Sequence, residues 1–173
     1  YYVDIAQRAE TALFDSIFFA DSLMLTSDAP RSGRIWLDPI TLLAALAVAT
    51  ERIGLIATGS STYSQAFNLA RQFSSIDHIS NGRAGWNIVT TWMANVARNY
   101  GEADQDSHAD RYLMAEEFVQ VVKDLWDSWA DDAVVDERSG GVYANSDRIR
   151  PIDFKGKYYS VAGPLTLPRS PQG

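Results

Sequence analysis

The sequence predicts an α/β fold built on a parallel sheet. Short runs rich in β-branched and aromatic residues alternate with helical segments. Strand starts recur after 38 and then 31 residues (Asp15, Ile53, Ala84), the period of a βα unit with right-handed crossovers. The middle run, Ile53-Gly54-Leu55-Ile56-Ala57-Thr58, is apolar throughout, as parallel strands are when both faces are covered. No residue-level repeat accompanies this rhythm.

In order, Tyr2, Ile5, Ala6, Ala9 and Leu13 have helical spacing, so the chain opens in a helix. Asp15 to Asp21 is the first strand, and a Ser/Gly/Pro-rich loop from Ser22 to Trp36 follows it. Asp38-Pro39 marks a helix start, an N-cap acid with proline at the first helical position. The helix Ile40 to Glu51 buries Leu42, Leu43, Leu46 and Ala49. Strand 53–58 exits through Ser60-Ser61-Thr62-Tyr63, a helix spans Ala66 to Ile79, and Ala84 to Thr90 is the third strand. Residues 95–109 are polar and irregular. Arg111 to Trp129 is a long amphipathic helix, with Ala115, Phe118, Val119, Val122, Leu125, Trp126 and Trp129 on one face and Glu116-Glu117 turned to solvent. Residues 130–173 read as an insertion with one hairpin, Ile149–Phe154 against Lys157–Val161.

Composition narrows the function. With 46% hydrophobic residues among 173, the chain has enough apolar mass for a core. No apolar run reaches the roughly 18 residues a membrane span needs. A net charge of −7 argues against a nucleic-acid surface. The absence of cysteine removes disulfides and thiolate metal sites and suits a cytoplasmic protein. Three strands cannot close a barrel and would leave apolar sheet edges open. Together with an opening helix that starts at Tyr1 and a terminal loop Pro168–Gly173, this predicts one partial domain (1–129 the βα units, 130–173 the insertion) of a longer protein.

The candidate site lies at strand exits, where α/β proteins hold ligands. Asp21 ends the first strand; as a loop cap or as a ligand acceptor it has two readings. Ser60, Ser61 and Thr62 end the second and also read as turn chemistry. Asn87 stands inside the third strand, where an amide needs partners for both its donor and its acceptor. Thr90 and Thr91 follow on opposite faces, so an ideal strand lets only one share the Asn87 side. His78 ends a helix, where a cation suits the dipole, and His108 sits in the irregular segment. No metal-ligand spacing, phosphate loop, nucleophile elbow or paired catalytic acids occur, so no catalytic residue is assigned.

The residues themselves go further. Asp38-Pro39-Ile40-Thr41-Leu42-Leu43-Ala44-Ala45-Leu46-Ala47, Thr50-Glu51-Arg52-Ile53-Gly54-Leu55, Asn68-Leu69-Ala70-Arg71-Gln72-Phe73, Gly82-Arg83-Ala84-Gly85-Trp86-Asn87-Ile88-Val89-Thr90 and Arg111-Tyr112 with Ala115-Glu116-Glu117-Phe118 occur in this order. Together they resemble the flavin-dependent monooxygenases of the bacterial luciferase-like superfamily, in the branch of nitrilotriacetate, EDTA and dibenzothiophene-sulfone monooxygenases. The resemblance implies a (β/α)8 TIM barrel, of which this chain holds the first helix through the fourth strand. It implies reduced FMN from a separate NAD(P)H:flavin reductase, and O2 bound as a flavin C4a-hydroperoxide that oxygenates a small organic substrate. It also implies a homodimer or higher homo-oligomer.

By matching position, Asp21 and Ser60 would line the flavin pocket, Asn87 would bond the isoalloxazine edge and Thr90 would close that wall. Tyr112, with His108, would approach the ribityl phosphate. Some relatives carry a histidine just after the fourth strand where this chain has Trp92, which becomes a substrate-pocket wall together with Tyr63 and Trp36. An F420-dependent dehydrogenase of the same fold and a non-catalytic flavin-binding or degenerate barrel stand as alternatives.

Overall fold

The computed structural model describes residues 1–33 and 36–173. Arg34 and Ile35, within the predicted loop 22–36, lie outside the described residues. Helix α1 (Tyr2–Thr11) precedes strand β1 (Ser16–Phe19), the short helix α2 (Ala29–Ser32) and helix α3 (Pro39–Ala49). Strand β2 (Gly54–Ser60), helix α4 (Ala66–Ser80) and strand β3 (Ala84–Val89) complete the βα rhythm. The strands form one parallel sheet, as the spacing predicts, and their order in it is β1-β2-β3.

Local chemistry sets these boundaries. The Asp38 carboxylate accepts the Thr41 N–H at 2.7 Å and starts α3 behind Pro39. Glu10 accepts the N–H groups of Glu51, Arg52 and Ile53 on one carboxylate oxygen, tying the end of α1 to the entry of β2. Strand β2 runs two residues beyond the predicted end because Gly59 and Ser60 pair with Ile88 and Val89. Strand β1 stops at Phe19, so Asp21 lies just past its end.

Alternation along the strands separates two faces. Leu55 and Ala57 are fully buried against the helices with Leu43, Leu46, Leu69 and Phe73. Trp86 points the same way, among the rings of Phe73, Phe118 and Trp126. Its indole N–H donates to the Gly59 carbonyl at 3.0 Å. The opposite, concave face carries Phe18, Ile56, Thr58, Ser60, Gly85 and Asn87. It is open, and Phe18 is 53% exposed.

A 3-10 helix (Ala94–Tyr100) occupies part of the irregular segment, and helix α5 (His108–Trp126) begins three residues earlier than predicted. The cause is Ser107, whose hydroxyl accepts the Asp110 N–H and donates to the Asp110 carboxylate. His108 is therefore the first residue of a helix, not a loop residue. Beyond α5, strands β4 (Val134–Glu137) and β5 (Val142–Ala144) form a hairpin that the sequence reading missed. The predicted hairpin shrinks to β6 (Phe154–Lys155) and β7 (Ser160–Val161), while Ile149 bridges Trp129 instead.

Glu117 also departs from expectation. It is not a solvated helix residue: its carboxylate accepts the N–H groups of Lys157, Tyr158 and Tyr159 and holds the β6–β7 turn onto α5. At the chain's end Gln172 donates to the buried Asp77 carboxylate and to the Ala84 carbonyl, which fastens the terminal segment beside the entry of β3.

Candidate functional site at the strand exits

Two polar rungs and a carboxylate line the concave face where the strands end. Thr58 and Asn87 are register partners, and the Asn87 Nδ2 donates to Thr58 Oγ1 at 3.0 Å. Thr58 in turn donates to the Phe19 carbonyl of β1 at 2.9 Å. One step further, the hydroxyls of Ser60 and Thr91 meet at 2.8 Å, both buried. Ser60 Oγ also accepts the N–H groups of Thr62 and Tyr63, so it is a turn residue as well as a wall residue. Asp21 completes the set and accepts the Ser22 N–H at 2.7 Å. Burial pushes its carboxyl above the ordinary range, the Ser22 N–H opposes this, and the Asp38 charge adds to the rise.

Asp21, Thr58, Ser60 and Thr91 line a cavity of about 150 Å³ with Trp92 and Met93 at its rim. A wider cleft of about 610 Å³ lies beside it, between β3 and α5, and carries Thr90, Trp92, Tyr112 and Glu116. Trp92, 84% exposed, borders both. Thr90 thus stands apart from Asp21, Ser60 and Asn87. Strand alternation sends it to the other side, and a left-handed backbone at Thr91 (φ 52°) brings that residue, not Thr90, to Ser60. Thr62 caps the Thr90 carbonyl at 2.9 Å.

His108 and Tyr112, one helical turn apart on α5, pack together with ring centroids 4.7 Å apart and planes tilted by 31°. Tyr112 faces the wider cleft. Tyr63 is engaged elsewhere: its ring stacks on Tyr100 at 4.6 Å, and its hydroxyl is buried without a hydrogen-bond partner among the described residues. The nearby Gln105 amide donates to the Thr91 carbonyl instead. Trp36 is 45% exposed and lies outside both cavities. His78 Nε2 meets the Pro168 carbonyl at 3.0 Å, a structural contact.

Two residues escaped the sequence reading. Thr58 was the last residue of a predicted strand, and only its period-2 relation to Ser60 signalled a shared face. Arg111 is buried with Nη1 on the Asp106 carbonyl and Nε without a partner among the described residues. An amphipathic pattern alone does not announce a buried guanidinium.

The whole chain, residues 1–173, matches the family described as luciferase-like monooxygenase. It is 45% identical to N-acetyl-S-(2-succino)cysteine monooxygenase of Bacillus subtilis, over 100% of this chain and 39% of that protein. It is 43% identical to nitrilotriacetate monooxygenase component A of Aminobacter aminovorans, over 100% of this chain and 41% of that protein. The crystal structure of long-chain alkane monooxygenase (LadA) superimposes with a TM-score of 0.93 at 32% identity, covering 98% of this chain and 42% of the other. Riboflavin lyase (RcaE), crystallised with modified FMN and riboflavin, superimposes with a TM-score of 0.91 at 35% identity, covering 99% and 40%. The chain thus spans about two fifths of the length of these relatives, and its sheet and helices are the matching part of their TIM-barrel fold. By sequence and by fold, the chain belongs to the luciferase-like monooxygenase family.

Proposed function

We propose that the protein carrying this chain is the oxygenase of a two-component system. It would use reduced FMN, supplied by a separate NAD(P)H:flavin reductase, to oxygenate a small organic compound with O2 by way of a flavin C4a-hydroperoxide. The observation that carries this reading is the polar row on the concave face: Asp21, the Thr58–Asn87 rung and the Ser60–Thr91 rung at consecutive strand ends. Such a row suits the hydrogen-bonding edge of a flat heteroaromatic ring, and the donor set has no metal-like cluster among the described residues. The "component A" in the name of one relative supports a partner reductase.

Within this proposal the chain's residues bind and orient; the oxygen chemistry is the flavin's. Asp21, Ser60 and Asn87 line the isoalloxazine. Tyr112, packed against His108, would stand toward the ribityl phosphate, with Thr90 beside it on the wall of the wider cleft. Trp92 at the junction of the cavities would form the substrate-side wall, while Tyr63 stacks on Tyr100 away from both cavities. The two relatives above act, by their names, on N-acetyl-S-(2-succino)cysteine and nitrilotriacetate, both carboxylated, so a carboxylated small molecule is the substrate class to try first. A homo-oligomer in the cytoplasm belongs to the same proposal.

The test mixes full-length protein with reduced FMN under anaerobic conditions and then adds O2 in a stopped-flow spectrometer. A transient flavin–oxygen absorbance before reoxidation is expected, and oxygenated product appears only when reductase or reduced FMN is present. Reoxidation at the rate of free reduced FMN, without product, refutes the proposal.

A further inference from the structure

The rung between β2 and β3 has a direction. A threonine hydroxyl has a single proton to donate. In Thr58 that proton is committed, because Oγ1 donates to the Phe19 carbonyl of β1 at 2.9 Å. A peptide carbonyl can only accept, so no reversal of that bond is open. On its β3 side Thr58 must therefore accept, and what it accepts is an N–H of Asn87 at 3.0 Å.

This settles which way the Asn87 amide lies. The two ends of an asparagine amide have nearly the same shape, so hydrogen-bond partners decide its orientation. Flipped, the amide would set its Oδ1 against a hydroxyl oxygen whose proton is already engaged, two acceptors face to face. The nitrogen accordingly faces β2. Oδ1 turns away from Thr58, and it takes no hydrogen bond from the described residues. Asn87 is only half-buried on the open concave face, so that oxygen is available to a ligand.

We infer that Thr58 is a positioning residue: through Phe19 it holds the Asn87 amide in one orientation, leaving Oδ1 as the acceptor for a ring N–H of the flavin on the concave face. The relay runs across all three strands, from the Phe19 carbonyl through Thr58 to Asn87. Thr58 gives no hydrogen bond to the ligand in this scheme. Its own hydroxyl is spent on the protein, which separates its part from that of Ser60 and Asp21. The inference rests on the flavin reading above for the identity of the donor, but not for the orientation of the amide.

Two readouts test it in the full-length protein. The first is affinity for oxidised FMN, by quenching of flavin fluorescence, for wild type, Thr58→Val, Thr58→Ser, Asn87→Ala and the Thr58→Val/Asn87→Ala double variant. Thr58→Val keeps the shape and loses the relay, so affinity falls about tenfold, the scale of one hydrogen bond at a buried edge. Thr58→Ser restores affinity to within about twofold of wild type, because it keeps the hydroxyl. In the Asn87→Ala background Thr58→Val has no further effect, since Thr58 acts only through Asn87. Wild-type affinity in Thr58→Val, or losses that multiply in the double variant, overturn the inference.

The second readout needs no flavin. In asparagine-labelled protein, the Asn87 side-chain amide shows one exchange-protected N–H in wild type and Thr58→Ser, and none in Thr58→Val. Protection that persists in Thr58→Val overturns the positioning claim. If wild type binds no FMN while the protection pattern follows the variants, the flavin reading and the ring N–H fail, and the orientation of the amide stands.

Discussion

Replacing Arg83 with Met tests how the third strand is held in register. The guanidinium stands at the entry of β3 and uses its fork completely. Nε donates to the Ser80 carbonyl at 2.8 Å. Nη1 donates to Thr50 Oγ1 at 2.9 Å and to the Ile53 carbonyl at 2.8 Å. Nη2 donates to the carbonyls of Ala47 at 2.8 Å and Thr50 at 2.9 Å. Two of these carbonyls belong to the last turn of α3 and its C-cap, where acceptors lack helical partners and a cation meets the negative end of the dipole. One side chain thereby joins the end of α3, the entry of β2 and the start of the strand that carries Asn87.

A net value near 1 kcal/mol per hydrogen bond, reduced for non-additivity and for a half-exposed side chain, puts the loss in Arg83→Met at roughly 3–4 kcal/mol. Methionine fills the aliphatic path but leaves carbonyls in a partly buried pocket without donors. Lysine offers one ammonium in place of a fork, so Arg83→Lys should lose about 2 kcal/mol. Urea unfolding followed by far-UV circular dichroism measures both, with the slope checked for constancy. An Arg83→Met midpoint within about 0.5 kcal/mol of wild type would refute the reasoning, because it would mean that water satisfies those carbonyls equally well.

Three further predictions concern other joints of the molecule. Three backbone N–H groups, Tyr158 foremost, and the Lys157 charge hold the Glu117 carboxyl below its ordinary value. Its stabilisation is therefore fully present above the ordinary glutamate range and is lost as pH falls through the lowered native value. Thermal melts of Glu117→Gln should accordingly differ from wild type at neutral pH and converge with it in acid; a constant gap at all pH values would count against the latch.

Asp21 has the opposite sign, since burial raises its carboxyl and its penalty sets in as pH rises through the ordinary aspartate range to the raised native value. Asp21→Asn, which still accepts the Ser22 N–H, should melt higher than wild type at neutral pH while binding FMN more weakly; a lower melting temperature would refute the desolvation argument. Finally, a Cβ at Gly59 would stand 2.8 Å from the Trp86 indole nitrogen and 3.1 Å from Leu69. Gly59→Ala should therefore lose about 1–3 kcal/mol in urea unfolding, with a change in near-UV tryptophan signal, and an unchanged signal would contradict the packing described.

Periodicity and punctuation were enough to find the parallel sheet and the helices beside it. Those signals are local: Asp38-Pro39 starts α3 by its own capping chemistry, and Leu42, Leu43 and Leu46 bury themselves at helical spacing whatever lies opposite. The same holds for Asn87, visible as an amide where a strand ought to be apolar. What tertiary structure decided depends on partners distant in the chain. Glu117 has the spacing of a solvated residue and becomes a latch only because residues 157–159 return to it. Nothing in the spacing around Arg83 signals its partners, which the end of α3 supplies. Alternation from Asn87 already puts Thr91, not Thr90, on its face, but which residue across the sheet Thr91 meets was beyond the sequence. The backbone turn at Thr91 and the pairing of β3 with β2 make the choice. A hydrogen bond is specified by the two groups that meet, and the sequence places only one of them at a time.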